Sequence, residues 1–92
     1  MLFSLIVATL NRTKELEELF HSLTKQEYNH FEVIVIDQNN HNMVEDICIN
    51  FSTKIHIQYF KVKFRGLSKA RNYGLKFASG NIVAFPDDDC VY

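Results

Sequence analysis

In the first half of the chain, apolar residues form two short continuous runs that are typical of strands. Between these runs, the apolar residues are spaced as in a helix. Residues 4–10 and 31–37 are short and almost continuously apolar, which is typical of strands covered on both faces of a sheet. Between them lies a helical stripe, preceded by Asn11 and Thr13 as candidate N-caps, and its apolar members are Leu16, Leu19, Phe20 and Leu23. The first third of the chain therefore predicts strand–helix–strand.

The second half repeats this order with shorter elements. A second helical stripe consists of Val44, Ile47, Cys48 and Phe51. Alternation over residues 54–62 predicts a strand with one wetter face, near a sheet edge. Ser68 is placed to cap a helix that runs to about Ser79 and is stopped by Gly80, and residues 81–85 predict a fourth strand. The inner face of that last helix is expected to carry Ala70, Tyr73, Gly74, Phe77 and Ala78.

The order β-α-β-α-β-α-β predicts an α/β fold, with a Rossmann-like parallel sheet, flanking helices and right-handed crossovers. Ligands of such sheets bind beyond the carboxyl ends of the strands, near a topological switch point. Four polar clusters follow the four strands, and we expect them to meet on one rim: Asn11–Arg12, Asp37–Gln38, Arg65–Gly66 and Asp87–Asp89.

Charge is distributed unevenly along the 92 residues, although the net charge is only −1. That net charge gives no general attraction to nucleic acid. Residues 54–76 contain seven Lys or Arg and no Asp or Glu, whereas three aspartates stand together near the end. A basic segment facing an acidic cluster favours a ligand that contains both phosphate and a metal ion, because the anion and the cation must both be held. The alternative is that the basic segment is simply a solvent-exposed face.

The remaining composition restricts the class of protein. Two cysteines, Cys48 and Cys90, are too few for a disulfide framework or a zinc site, so we expect reduced thiols in the cytoplasm. The apolar run at residues 2–10 is too short to span a membrane, and the four histidines show no metal-ligand spacing.

The aspartate triplet is the strongest chemical signal. Adjacent carboxylates repel one another, and a hard divalent cation such as Mg²⁺ or Mn²⁺ relieves that repulsion while it binds substrate phosphates. In an extended segment Asp87 and Asp89 point the same way, as candidates for metal and ribose contacts, whereas Asp88 points the opposite way toward a hydroxyl or a basic side chain. An acidic capping loop is the plain alternative.

Four motifs together resemble family 2 glycosyltransferases, which bind nucleotide-diphosphate sugars with the GT-A fold. The resemblance covers essentially the whole chain, and each motif lies at the end of its own predicted strand. In chain order the motifs are residues 4–12 (SLIVATLNR), 33–38 (VIVIDQ), 65–75 (RGLSKARNYGL) and 85–92 (FPDDDCVY).

The resemblance implies roles for individual residues. Thr9 and Arg12, with Asn11 in the same loop, are expected near the base and phosphates, and Asp37 near the nucleoside. Family members often carry a second acid that hydrogen-bonds uracil, and this chain has Gln38 there, which leaves the base open. The resemblance also implies that Arg71 reaches the nucleotide or pyrophosphate from the third helix and that Asn72 helps to hold the loop. Asp87 and Asp89 form the implied D-x-D metal pair, with Asp88 between them.

The implied reaction is the inverting transfer of a sugar from a nucleotide-diphosphate sugar to an unidentified acceptor hydroxyl, in polysaccharide or glycoconjugate synthesis. The resemblance implies that residues 1–92 are one partial domain, the nucleotide-sugar-binding N-terminal half of a GT-A fold. The acceptor-binding half and the general base are expected beyond Tyr92, so we expect the chain alone to be inactive and to bind nucleotide and metal weakly.

Several alternatives stay open. A non-catalytic remnant or interaction module with the same fold is one, and a sugar nucleotidyltransferase is another, although that class opens with a glycine-rich loop that residues 10–13 lack. A receiver-type signalling domain is a third. We further expect self-association through uncovered sheet edges, and consider peripheral association with the inner membrane face.

Overall fold

A computed structural model describes residues 2–26 and 30–86, which form one four-stranded sheet and three helices. All strand pairs are parallel, in the order β3-β2-β1-β4. The elements are β1 (Phe3–Thr9), α1 (Thr13–Thr24), β2 (Phe31–Asp37), α2 (Met43–Phe51), β3 (Ile57–Lys61), α3 (Leu67–Leu75) and β4 (Ile82–Ala84). The predicted α/β fold and element order are confirmed.

The two faces of the sheet carry separate cores, as the pleat requires. Val33 and Val35 of β2 are fully buried against α1 and α2, whereas Ile34 and Ile36 are fully buried on the face that carries α3. β3 has no fully buried side chain, which confirms the predicted edge position. Both faces of β2 are covered, so its sequence is a continuous apolar run rather than an alternating one.

The strand order fixes where a ligand site is expected. From β1 the chain steps to β2 and then β3, and it next crosses the sheet to place β4 on the other side of β1. The direction of winding thus reverses between β1 and β4. The carboxyl ends of these two strands flank the topological switch point.

Helix α3 lies unusually close to the sheet because Gly74 has no side chain. A Cβ atom at Gly74 would lie 2.5 Å from Cγ2 of Ile6 and 3.5 Å from Cγ1 of Ile36. The predicted inner face is confirmed: Ala70 and Gly74 are buried, and Tyr73, Phe77 and Ala78 pack on the same core. The ring of Phe77, two residues beyond the end of α3, stacks on Phe60 of β3 with 4.1 Å between the centroids, which fixes the carboxyl end of the helix against β3.

Three boundary predictions were wrong. α3 ends at Leu75 instead of Ser79. The backbone N–H groups of residues 76–78 bond to the carbonyl three residues earlier, which forms turns tighter than an α-helix. The backbone N–H of Ser79 donates to Glu32 instead of to the helix. Gly80 is a close approach rather than a helix stop, since its Cβ would lie 2.5 Å from the Ser4 hydroxyl oxygen. The predicted caps are also absent: α1 has Arg12 and α3 has Gly66 at the N-cap position, each without a side-chain cap bond.

Glu32 binds Ser79 at the amino end of the sheet and closes a buried polar network. One carboxylate oxygen of Glu32 accepts bonds from the Ser4 hydroxyl (2.6 Å), the Ser79 backbone N–H (2.8 Å) and the Ser79 hydroxyl (2.9 Å). The other accepts from Nε2 of Gln58 at 3.1 Å. Burial raises the pKa of the Glu32 carboxyl, but these four bonds outweigh burial, and the pKa lies below its ordinary value.

Candidate functional site

The carboxyl edge is the edge of the sheet at which β1, β2 and β3 end. Asp37, the last residue of β2, is fully buried there. Its Oδ1 accepts bonds from the backbone N–H of Asn39 (2.9 Å) and from Nδ2 of Asn39 (2.8 Å), and its Oδ2 accepts from the Tyr59 hydroxyl (2.5 Å). Nζ of Lys61 lies 3.8 Å from Oδ2. The carboxylate is thus engaged by protein donors, and its expected approach to a nucleoside stays a prediction.

Asn39 links the loops that follow β1 and β2. Its Oδ1 accepts a bond from the backbone N–H of Asn11 at 2.6 Å, and its Nδ2 also reaches the carbonyl oxygen of Thr9 at 3.5 Å. Asn11 has φ 59°, a left-handed conformation that asparagine tolerates better than most residues. The loop carrying Asn11 and Arg12 is therefore attached to the end of β2.

Gln38 links the same strand end to the loop before α3. Its Oε1 accepts a hydrogen bond from the backbone N–H of Gly66 at 2.7 Å, and only 6% of the residue is exposed. Gly66 has φ 142°, which a residue with a side chain rarely adopts. Three of the four predicted polar clusters therefore meet on one rim, and the fourth, Asp87–Asp89, lies outside the described residues.

Thr9, the last residue of β1, borders the switch point. It is fully buried, and its hydroxyl oxygen has no hydrogen-bond partner among the described residues. In the strand register Thr9 lies beside Asp37, so a second buried polar side chain stands at this edge of the sheet. Its expected contact with the nucleotide stays a prediction.

Arg71 lies on the flank of α3 that faces the end of β4. Its guanidinium carbon is 5.1 Å from the centroid of the Phe85 ring, within the range of a cation–π contact. Phe85 precedes Asp87 by two residues in the sequence. The predicted phosphate-binding arginine is thus held at the β4 side of the site, whereas Arg12 stands at the start of α1 beside β1.

The described residues do not form a metal site by themselves. Within residues 2–26 and 30–86 no three His, Cys, Asp or Glu side chains are grouped so that they could hold an ion. The Asp37 oxygens are already bonded to Asn39 and Tyr59. The expected metal ligands Asp87 and Asp89 lie outside the described residues, and their assignment stays a prediction.

Two ionisable groups beside Asp37 are kept neutral. Burial, followed by the hydrogen bond to Asp37, raises the pKa of the Tyr59 hydroxyl well above its ordinary value. Burial, with the charges of Asp37 and Glu45, raises the pKa of the Cys48 thiol to about 12. Cys48 is a buried free thiol and packs in the core between the sheet and α2, so its role is structural.

Sequence reasoning missed Asn39 and Tyr59 as parts of this edge. Asn39 was only a polar loop residue, although an asparagine two positions after a strand-end aspartate is a signal for a local side-chain turn. Tyr59 belonged to the alternating pattern of β3, and its hydroxyl had no evident partner before the register placed β3 beside β2. Neither residue could be assigned without the pairing of the strands.

Comparison with solved structures identifies the class of fold. Staphylococcus aureus TarS 1-349 superposes with a TM-score of 0.89 and 35% sequence identity, covering 99% of this chain and 28% of that one. The structure of TarS 1-349 in complex with UDP-GlcNAc gives a TM-score of 0.86 at 35% identity. Mannosyltransferase PcManGT from Pyrobaculum calidifontis, in complex with GDP-Man and Mn²⁺, has a TM-score of 0.86 at 24% identity, and that likeness concerns the fold alone. The fold is that of GT-A glycosyltransferases.

The sequence matches the model of Glycosyl transferase family 2 over residues 4–92, and the chain belongs to this family. Among curated relatives, the poly(ribitol-phosphate) beta-N-acetylglucosaminyltransferase TarS of S. aureus (strain Mu50) is 36% identical in an alignment of length 93 that covers 97% of this chain. Glycosyltransferase GlyA of Streptococcus pneumoniae serotype 4 is 36% identical over 87 residues. The chain spans 16% of the length of TarS and 12% of GlyA.

No helix within residues 2–26 and 30–86 is long and apolar enough to cross a membrane. The expected cytoplasmic position and the association with the inner membrane face stay predictions.

Proposed function

We propose that this chain supplies the nucleotide-sugar-binding part of a glycosyltransferase, which transfers a sugar from a nucleoside diphosphate to an acceptor hydroxyl in cell-surface polysaccharide synthesis. Membership of family 2 supports the reaction class. TarS, in complex with UDP-GlcNAc, supports a nucleotide sugar as the donor. TarS and the Bacillus subtilis minor teichoic acid biosynthesis protein GgaB, 33% identical over 91 residues, support the polysaccharide setting.

The convergence of loops at the carboxyl edge is the observation that carries the proposal. Asn39 binds the loop after β1, and Gln38 binds the loop before α3, through bonds of 2.6 and 2.7 Å. Thr9, the last residue of β1, lies at the same edge, beside the switch point where α/β sheets bind nucleotides. A preformed edge of this kind lowers the ordering cost of binding.

The site residues divide by charge. We assign Thr9, Asn11 and Gln38 to the nucleoside, and Arg12 and Arg71 to the phosphates, whose negative charge the two guanidiniums offset. Asp88 is assigned to a sugar hydroxyl or a basic side chain. Asp37, with its oxygens bonded to Asn39 and Tyr59, would act on the nucleoside through the loop that it holds.

Asp87 and Asp89 would hold Mg²⁺ or Mn²⁺, with the donor's phosphates as further ligands. The cation would stabilise the charge that develops on the departing diphosphate. The D-x-D assignment rests on the position of these acids directly after Phe85-Pro86, at the carboxyl end of β4.

Isothermal calorimetry with UDP or GDP in the presence of Mn²⁺ tests the proposal. We expect nucleotide binding that weakens by about tenfold or more in Asp89→Ala, because a ligand to the bridging cation is lost. Glu18→Ala, at an exposed position on α1, is the matched control and should bind like the wild type. Equal binding by wild type and Asp89→Ala would contradict the metal role, and the absence of any nucleotide binding would favour a non-catalytic module.

The outer edges of β3 and β4 are proposed to pair with further polypeptide. In the described sheet each of these strands has one neighbour only, and an unpaired strand edge presents free backbone donors and acceptors. Light scattering on the isolated chain tests this: self-association is expected, and a monomer at high concentration would contradict it.

A further inference from the structure

We propose that Asn39 is a positioning residue for nucleotide binding, which fixes the loop carrying Asn11 and Arg12 to the end of β2. The inference rests on the proposed donor site at the carboxyl edge. It assigns a role to a residue that does not itself need to touch the nucleotide.

The side-chain amide of Asn39 and its backbone N–H are bound within the protein. Its Oδ1 accepts from the Asn11 N–H at 2.6 Å, while its Nδ2 donates to Asp37 Oδ1 at 2.8 Å and reaches the Thr9 carbonyl oxygen at 3.5 Å. Its own backbone N–H donates to Asp37 Oδ1 at 2.9 Å. Only 3% of the residue is exposed. Asn39 thus connects the ends of two neighbouring strands through its side chain.

The attached loop is held in an uncommon conformation. Asn11 has φ 59°, and its N–H would lack this partner if the Asn39 oxygen were removed. Arg12 follows Asn11 directly, and its position at the start of α1 depends on the direction in which Asn11 turns the chain. Loss of the Asn39 bond is therefore expected to displace Arg12.

Position 39 requires an amide, because one side chain must both accept a hydrogen bond from the Asn11 N–H and donate one to the Asp37 carboxylate. A carboxylate only accepts, so it would bind the Asn11 N–H but would meet the Asp37 carboxylate with a second negative charge. The buried Asp37 is therefore explained as the group that orients the Asn39 amide. The pairing of the Asp37 carboxylate with the Asn39 amide explains why these two residues are buried at the rim of the site.

A purely structural role for Asn39 is the rival explanation, and the fold contains a matched control for it. Glu32 lies at the amino end of β2, whereas Asn39 follows the carboxyl end of that strand. Glu32 is 4% exposed and accepts four hydrogen bonds. Glu32→Gln should lower stability without touching the carboxyl edge. Asn39→Asp should lower both stability and nucleotide affinity.

Calorimetric titration of the chain with UDP and Mn²⁺ separates the two explanations, at a temperature well below the unfolding midpoints of both variants. At about pH 7.5 we expect Asn39→Asp to bind UDP about tenfold or more weakly than the wild type, the ordinary effect of leaving a buried polar group unpaired. Glu32→Gln should bind within about twofold of the wild type. Equal UDP affinity in Asn39→Asp and wild type, or an equal loss in Glu32→Gln, would overturn the inference.

The pH dependence of Asn39→Asp supplies a signature that lost stability alone would not give. The introduced carboxyl lies against Asp37, so one of the pair is expected to take up a proton well above the usual range, as adjacent carboxylates do. The shared proton restores a donor between them. UDP affinity of the variant should therefore recover relative to the wild type between about pH 7.5 and pH 5.5, and a constant ratio would count against the inference.

Asn39→Ser is a second variant for the case that Asn39→Asp does not fold. The shorter hydroxyl retains some hydrogen bonding without adding charge, and we expect intermediate UDP affinity. If both variants are unfolded at the assay temperature, Asn39 is a structural residue and the inference is wrong. If the wild type itself binds no nucleotide, the proposed function fails and the inference with it.

Discussion

The side-chain oxygen of Gln38 lies 2.7 Å from the backbone nitrogen of Gly66 and accepts its hydrogen bond. That bond assigns the two ends of the amide: the oxygen faces the loop before α3, and the NH₂ group is the end available for other partners. A carboxylate at this position would only accept hydrogen bonds. The fold therefore gives the rim a donor at the position where the resemblance to family 2 leads us to expect an acidic acceptor.

A change in base selectivity follows from the orientation of Gln38. Gln38→Glu keeps an acceptor for the Gly66 N–H but removes the donors, so it should favour bases with a donor edge, such as uracil, over cytosine, whose corresponding nitrogen accepts. We expect the ratio of the CDP to the UDP dissociation constant to rise about tenfold, equivalent to about 1.4 kcal/mol, within the range for one hydrogen bond. Calorimetry with both nucleotides and Mn²⁺ measures this ratio.

Asn40→Asp is the control for added charge near Gln38. Asn40 is exposed and lies two positions beyond Gln38, so its substitution adds the same charge without altering the amide bound to Gly66. A ratio that moves equally in both variants would show that charge, and not the orientation of the Gln38 amide, determines base preference.

A pH-dependent loss of stability is predicted for the Glu32 network. Glu32→Gln keeps only one acceptor oxygen, so its NH₂ group must face either the donors of Ser4 and Ser79 or the Nε2 donor of Gln58. The substitution should lower the free energy of unfolding by about 1–3 kcal/mol near neutral pH. The folded-state pKa of Glu32 is lowered, so the ionised carboxylate stabilises the fold fully above its ordinary pKa of 4.5. That stabilisation disappears as the pH falls through the folded-state pKa.

Urea unfolding of wild type and Glu32→Gln across the acid range measures this difference. The gap between the two proteins should be constant above about pH 5.5 and should close as the carboxyl is protonated. A gap that widens on acidification would show that the hydrogen bonds do not hold the carboxylate in its charged form.

Gly74→Ala is predicted to destabilise the chain even though alanine favours helices. The helical preference for alanine is worth about 1 kcal/mol, whereas forcing extra carbon into a packed core costs about 1–3 kcal/mol. The added Cβ would lie 2.5 Å from Cγ2 of Ile6, so we expect a net loss of about 1 kcal/mol in urea unfolding. Combining it with Ile6→Ala should cost less than the sum of the two single changes, and full additivity would contradict the predicted clash.

The spacing of apolar residues predicted the layout of the sheet well. Continuous apolar runs predicted β1 and β2 because both of their faces are covered, and the helical stripe from Leu16 to Leu23 matches the buried residues of α1. The end of α3 was missed because Ser79 is drawn to Glu32, a contact across 47 residues that local patterns do not contain. The N-terminus of α3 has the same origin, since the Gly66 N–H is bound to the side chain of Gln38, 28 residues earlier in the chain.

The sequence predicted which edge of the sheet carries the candidate site, but it did not predict the contacts within that site. The strand-end rule brought Asn11, Gln38 and Gly66 to one rim, and hydrogen bonds confirm that grouping. The engagement of Asp37 with Tyr59 depends on which strands are neighbours and in which register, and these are properties of the assembled sheet. The roles of Asp87, Asp88 and Asp89 depend on residues outside the described ranges.

Strand β2 carries an anchoring acid near each end, Glu32 at the amino edge and Asp37 at the carboxyl edge, with only buried aliphatic residues between them. Five residue steps separate the two acids, about 17 Å along an extended strand. Substitutions that retune the loops for another donor thus act far from the network that holds the amino edge. The amino-edge network therefore lies beyond the reach of changes in the exposed part of the loop after β2, so libraries randomised at Asn40 and His41 should retain a large share of folded members, unlike libraries that include the buried Gln38 and Asn39.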